Sequence, residues 1–250
     1  MRLKVAYCIE HGIHKTECED SALICDIVIN DACGEIELHT PGIICLCDGV
    51  GGNAGGKEAS LYITDFLSHQ PIPESVENLR NLFYEANKSL LQRADMTVDH
   101  KLMATTCTGI VFSEMGAFLA HVGNTRLYSS RGSFLQQITK DQTTYQWLLD
   151  KGDEETASFC NRSEIRGALG GGREDLAKQI MVEQVFNRRV PNLMLLTTDG
   201  VHDTLSQDEI EDTISGSNTS LEKAKLLCKK AAEQGSEDDR SAIVISSEPD

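Results

Sequence analysis

Ile43-Ile44-Cys45-Leu46-Cys47-Asp48-Gly49-Val50-Gly51-Gly52-Asn53-Ala54-Gly55-Gly56-Lys57-Glu58-Ala59-Ser60 runs from unbroken apolar sequence, through a carboxylate, into glycine-rich sequence and then a helical pattern. The stretch 43–47 is short and aliphatic, which reads as a core strand. Ala59, Tyr62, Ile63, Phe66 and Leu67 fall on one helical face. Asp48 therefore stands where a core strand ends, and Gly49 lets the backbone turn sharply after it. Taken alone, Asp-Gly is a common turn pair, and aspartate is a poor strand former.

The same arrangement recurs along the chain. Glu19 and Asp20 precede an apolar run at 23–29. Asp199-Gly200 follows the run 193–196, with Asp203 one helical turn on, and Asp238-Asp239 precede 242–246. If these strand ends converge, several carboxylates meet within a few ångström. Their repulsion is costly unless some are protonated or a cation is bound. Hard divalent ions, Mg²⁺ or Mn²⁺, suit an all-oxygen site. Two such ions ~3.5–4 Å apart form a clamp for hydrolysing phosphate esters.

Outward from these points, strands are expected at 3–9, 23–29, 43–47, 107–112, 117–122, 125–130, 180–185, 193–196 and 242–246. Helical faces also occur at Val76, Leu79, Phe83, Ala86 and Leu90, and at Leu221, Ala224, Leu227 and Ala231. The strands between 104 and 138 follow at hairpin spacing, which means antiparallel pairing. Runs of strands and runs of helices, without strict alternation, predict an α+β sandwich. No repeat or linker divides the chain, so residues 1–250 are expected to form one domain. The polar stretch 143–166, with a short helical signal near Trp147, reads as a flap.

Composition narrows the function classes. The net charge of −16 disfavours a nucleic-acid surface or an anchor on anionic lipid, because both need clustered Lys and Arg. The apolar runs fall far short of the ~20 residues of a membrane span, and the N-terminal one, 5–9, is too short for a signal peptide. Nine scattered cysteines predict reduced thiols in a cytoplasmic protein.

With Gly56 and Ala59-Ser60, the segment from Asp48 to Asn53 resembles the D-G-x-G-G-x-x-x-G-x-x-A-S signature of the type 2C metal-dependent protein phosphatases. Further blocks resemble that family in its order: Cys18-Glu19-Asp20, Thr105-Thr106, Gly123-Asn124-Thr125-Arg126, Thr139-Lys140-Asp141, Ala168-Leu169-Gly170, Thr198-Asp199-Gly200-Val201 and Asp238-Asp239-Arg240-Ser241. The resemblance implies a four-layer α-β-β-α sandwich of two antiparallel sheets flanked by helices, with a dinuclear metal site at one end. It implies that Asp48 bridges two Mn²⁺ or Mg²⁺ ions, that the Gly49 carbonyl binds one, and that Asp199 and Asp238 hold the other. Glu19 and Asp20 would act mainly through waters, and Asp203 would complete the metal set. The implied reaction is hydrolysis of phosphoserine and phosphothreonine in proteins by a metal-bridging hydroxide, acting against a serine/threonine kinase, by a protein expected to be a monomer.

Three departures bear on this. Lys15 stands where the family usually has a phosphate-binding Arg, so attraction survives but the bidentate fork does not. Val50 replaces a His found in some members, leaving His202 as a guess for the general acid. Asn124 replaces an Asp, so a third ion held with Asp199 and Asp203 should bind weakly or not at all. These departures motivate an alternative, a pseudophosphatase that binds phosphoproteins as a regulatory module.

Other patterns are decoys. Gly49 to Ala54 satisfies G-x-G-x-x-A, but the flanking strands lack βαβ alternation. Gly51 to Lys57 nearly matches a P-loop, with Glu58 where a hydroxyl is needed. Cys160 to Arg166 has the C-x₅-R spacing of cysteine phosphatases, without glycine inside and with Glu164 to repel an anion. His11, His14 and Cys18 have no fourth partner for zinc.

Overall fold

The computed structural model describes residues 1–50, 55–96, 102–132, 134–172, 176–187 and 190–248. The motif residues Gly51, Gly52, Asn53 and Ala54 lie outside them. Strands are numbered β1 to β14 in chain order. One sheet contains β1 (Arg2–Glu10), β4 (Cys33–His39), β9 (Arg126–Arg131), β10 (Phe134–Gln137), β13 (Leu193–Thr197) and β14 (Arg240–Glu248), in the order β10-β9-β13-β14-β1-β4. The other contains β2 (Asp20–Ile24), β3 (Ile27–Ile29), β5 (Gly42–Asp48), β7 (Cys107–Ser113), β8 (Gly116–Val122) and β12 (Met181–Phe186), in the order β12-β8-β7-β5-β2-β3. A short ladder joins β6 (Ala104–Thr105) to β11 (Leu169–Gly170). Every pairing is antiparallel.

Three apolar cores make the layers. Ile44, Leu46, Phe112, Leu196 and Ile243 fill the space between the sheets. Against the outer face of the second sheet pack α1 (Gly56–Ser68) and α2 (Val76–Asp95), through Ile63, Phe83 and Leu90. Each such fully buried side chain contributes about 1.5–3 kcal/mol of hydrophobic free energy. Against the first sheet pack α5 (Asp199–His202), α6 (Gln207–Ser215) and α7 (Ser220–Glu233), through Val201, Ile210 and Leu227. The four-layer sandwich expected from the sequence is the fold observed. No helix among the described residues is long and apolar enough to cross a membrane.

Local chemistry explains several boundaries. The Ser75 hydroxyl accepts from the Asn78 N–H at the start of α2. Ser206 with Glu209, and Thr219 with Glu222, form reciprocal capping boxes that start α6 and α7.

The structure also corrects details. The run 23–29 is two strands, because Cys25 takes a positive φ of 58° and turns β2 into β3. The edge strand β4 was not apparent in the sequence; its side chains are mostly exposed, so it carries no apolar run. Not all thiols are free: Cys8 and Cys33 face each other across β1 and β4 and form a disulfide. Residues 143–166 hold α3 (Thr144–Asp150) and α4 (Glu154–Ser158), closed at the base by a Thr143–Ile165 bridge.

Candidate active site

Asp20 and Asp48 stand directly opposite each other in the β2–β5 register. Like charges so placed repel, so something must hold both strand ends there. For Asp48 it is the Thr105-Thr106 pair. The Thr106 N–H and the Thr105 hydroxyl both donate to the Asp48 carbonyl at 2.8 Å. The Asp48 N–H in turn donates to Thr106 Oγ1 at 3.1 Å. Gly49 follows with its N–H on the Glu19 carbonyl at 3.1 Å. A Cβ at Gly49 would sit 2.4 Å from the Gly56 carbonyl oxygen, so only glycine fits between β2 and the start of α1.

Asp20 is fully buried. Its Oδ2 accepts from Ser241 Oγ at 2.6 Å and Thr198 Oγ1 at 2.9 Å, which ties β2 to the ends of β13 and β14 in the other sheet. Its Oδ1 has no hydrogen-bond partner. Burial, and then the Asp239 charge, push its carboxyl up to about 8.

Asp199 and Asp238 are brought together by another close approach. A Cβ at Gly200 would lie 2.0 Å from the Asp239 carbonyl oxygen, so α5 can pack onto residues 238–239 only with glycine there. Burial, then the Asp238 and Asp203 charges, push the Asp199 carboxyl up to about 6. Desolvation, followed by the charges of Asp20, Asp199 and Asp238, holds Asp48 well above the usual carboxylate range.

Glu19, Asp48, Asp199 and Asp238 line one cleft of about 360 Å³ with Lys15 and Asn124, and Ser163 and Ile165 wall it from the 143–166 segment. Val50 and Thr106 complete the lining. Asp20 lies behind it. Asp203 caps α5, with its N–H on the Asp199 carbonyl at 2.9 Å, and its carboxyl is raised by burial. The Asn124 Nδ2 donates to Asp199 Oδ2 at 2.9 Å, while its buried Oδ1 has no partner.

Lys15 is enclosed by acid. Its Nζ donates to Asp238 Oδ1 at 2.6 Å, Asp239 Oδ2 at 3.0 Å and Glu19 Oε2 at 3.1 Å. Burial works against its charge, but Asp238 and Asp239 outweigh it and hold the ammonium above the usual lysine range. Asp239 itself is turned away from a metal role. Its Oδ1 accepts from the Gly12 N–H at 2.7 Å and its Oδ2 from the Glu19 N–H at 2.8 Å. In the sequence Asp239 is one of the clustered carboxylates; the structure makes it the anchor of the loop that carries Lys15. Thr198 and Ser241 appear in the sequence only within the family blocks; the structure gives their hydroxyls the task of holding Asp20 from the other sheet.

His202 does not line the cleft. It is buried with Nδ1 2.8 Å from Thr197 Oγ1, and burial holds it well below the usual histidine range. Arg126 grips Asp141 with two nitrogens at 2.6–3.1 Å, a turn-orienting role. Arg166 lies over the Trp147 ring at 4.6 Å. His11, His14 and Cys18 make no metal cluster among the described residues.

No family model matches the chain. It is 30% identical over 209 residues to the serine/threonine protein phosphatase PstP of Mycobacterium tuberculosis, covering 81% of this chain and 40% of that protein. The chain thus spans well under half the length of this relative. It is 26% identical over 215 residues to the serine/threonine phosphatase stp of Listeria monocytogenes, covering 81% of this chain and 83% of that one. Among solved structures, the catalytic domain of serine/threonine protein phosphatase PstP in complex with two manganese ions superposes with a TM-score of 0.77, at 26% identity over 98% of this chain and 99% of that one.

Proposed function

Since the chain belongs to the type 2C serine/threonine protein phosphatases, we propose that it hydrolyses phosphoserine and phosphothreonine in proteins with two Mn²⁺ or Mg²⁺ ions. The observation that carries this is the convergence of Glu19, Asp48, Asp199 and Asp238 on one cleft, with Asp20 behind it. The donor set is all oxygen, which suits hard divalent ions. The Asp20 Oδ1 left without a partner, and carboxyls driven up by burial and then by their neighbours' charges, are what a site built for cations presents.

In this reading Asp48 and the Gly49 carbonyl would hold the ions from one sheet, and Asp199 and Asp238, with Asp203 beyond Asp199, would hold them from the other. Glu19 and Asp20 would act through bound waters. When bound, the ions supply a nucleophile at neutral pH and offset charge on the phosphoryl oxygens. Lys15 attracts the phosphate at the mouth of the cleft. Thr105 and Thr106 fix Asp48 against recoil, and Asp239 fixes the loop that presents Lys15 and Glu19. A third ion is disfavoured, because the Asn124 amide already donates to Asp199 Oδ2.

We further read residues 1–250 as one catalytic domain, with 143–166 as a flap over the cleft, acting as a monomer on the targets of a serine/threonine kinase. Seven free cysteines favour a reducing compartment, hence the cytoplasm. The test is hydrolysis of p-nitrophenyl phosphate and a phosphothreonine peptide with Mn²⁺ and then EDTA. Mn²⁺-dependent turnover abolished by EDTA is the expected result. Absence of turnover with intact phosphopeptide binding would instead establish the pseudophosphatase alternative.

A further inference from the structure

Behind the cleft, three thiols meet in the core between the second sheet and α1 and α2. Cys45 and Cys47 lie two residues apart on β5 and so share a face. Cys107 opens the neighbouring strand β7, and the register that pairs Leu46 with Thr108 sets it beside Cys47. The three Sγ atoms all lie within 4.8 Å of one another, and all three residues are fully buried. Among the described residues no histidine or carboxylate joins the group. Ile63, Phe83 and Leu90 belong to the same apolar core.

Three sulfurs bound to one atom at ~2.3 Å lie ~4 Å apart in a trigonal plane and closer together in a trigonal pyramid, so a trio within 4.8 Å suits a single central atom. Charge decides which one. Zn²⁺ takes four ligands and here would lack one, leaving a net −1 on three thiolates. Cu⁺ on three thiolates would leave −2. Uncompensated charge in an apolar core is costly. A trivalent thiophilic centre leaves none.

We propose that Cys45, Cys47 and Cys107 form a binding site for trivalent arsenic of the arsenite class. Arsenous acid exchanges its three hydroxyl groups for the three sulfurs. Three As–O bonds break and three As–S bonds form. Each thiol proton leaves with a hydroxyl group as water, and arsenic stays trivalent, so no oxidant or reductant takes part. The product staples β5 to β7. It does so one residue from Asp48 on β5, and one from Thr106, which holds the Asp48 backbone.

The test uses the full chain, unfolded and refolded with sodium arsenite and a phosphine reductant, then freed of excess reagent. Native mass spectrometry should find one arsenic in place of three hydrogens, and X-ray absorption should find three As–S bonds. Cys107→Ala and Cys45→Ala, each checked for folding by circular dichroism, should fall from one arsenic per chain to none. A Cys25→Ser/Cys160→Ser double variant, which alters partly exposed thiols, should keep one. No arsenic on the refolded wild-type chain, full uptake in both alanine variants, or loss in the double-serine variant would each overturn the site. These readouts involve no phosphatase activity, so they stand apart from the proposed function.

Discussion

Lys15 Nζ donates to Asp238 Oδ1 across 2.6 Å, and this ion pair joins the loop before β2 to the loop before β14 at the mouth of the carboxylate cleft. A resident cation placed on a proposed metal ligand does two opposite things. It attracts phosphate, and it competes with a divalent ion for Asp238.

Lys15→Ala should therefore bind Mn²⁺ more tightly and phosphopeptide more weakly. The pair is partly exposed, so its contribution is at most about 1 kcal/mol, or about fivefold in metal affinity. Isothermal titration with Mn²⁺ and KM for a phosphothreonine peptide should move in opposite directions. Weaker Mn²⁺ binding in the variant would show that Lys15 holds Asp238 in place for the metal.

Asp48→Asn should lower kcat by about 10³-fold or more, since a metal clamp supplies several kcal/mol to the transition state. The same change removes one of the repelling charges. In EDTA the variant should melt at least as high as the parent, which separates loss of chemistry from loss of fold. A variant of unchanged kcat would exclude Asp48 from the metal centre.

Metal-free protein should lose stability as pH rises from about 4 to about 8. The Asp20 carboxyl stands at about 8 when folded, against an ordinary 3.8. Between these values the folded state holds a proton that the unfolded chain has released, so rising pH favours unfolding. Melting curves in EDTA from pH 5 to pH 8 should show Tm falling, and Asp20→Asn should flatten the trend. A Tm that climbs across this window would mean Asp20 is already charged in the fold.

Asn124→Asp puts a carboxylate where an amide now donates to Asp199 Oδ2. The number of Mn²⁺ ions bound at saturation should rise from two to three. In EDTA the variant should melt lower than the parent, because an attraction becomes a repulsion. Unchanged stoichiometry would place the limit on a third ion elsewhere than Asn124.

Much of this was legible in the sequence because strong local signals coincide with the chemistry. Asp48, Asp199 and Asp238 each stand where an apolar run meets a turn, and periodicity located α1, α2 and α7. What escaped depends on contacts far apart in the chain. Asp239 bonds to Gly12 and Glu19, separated from it by more than 200 residues. The buried His202 beside Thr197 carries no local mark of burial. The edge strand β4 lacks an apolar run because its outer face meets solvent, and its disulfide partner Cys8 is set by register. The capping box at Ser206 and Glu209 marks the start of α6 locally, though the helix itself is short and polar.

The site straddles the seam between the sheets. Asp20 and Asp48 ride on one sheet, while Asp199 opens α5 after β13 and Asp238 sits on the loop before β14 of the other, with Thr198 and Ser241 gripping Asp20 across the gap. Ile44, Phe112 and Ile243 in the middle core therefore act as spacers that set the gauge of the proposed metal site. A methyl group gained or lost there would shift the two halves of the ligand set relative to each other before it threatened folding. In this architecture the interior between the sheets is the part under the tightest dimensional tolerance, and drift in its volume should be read first in metal affinity and only later in melting temperature.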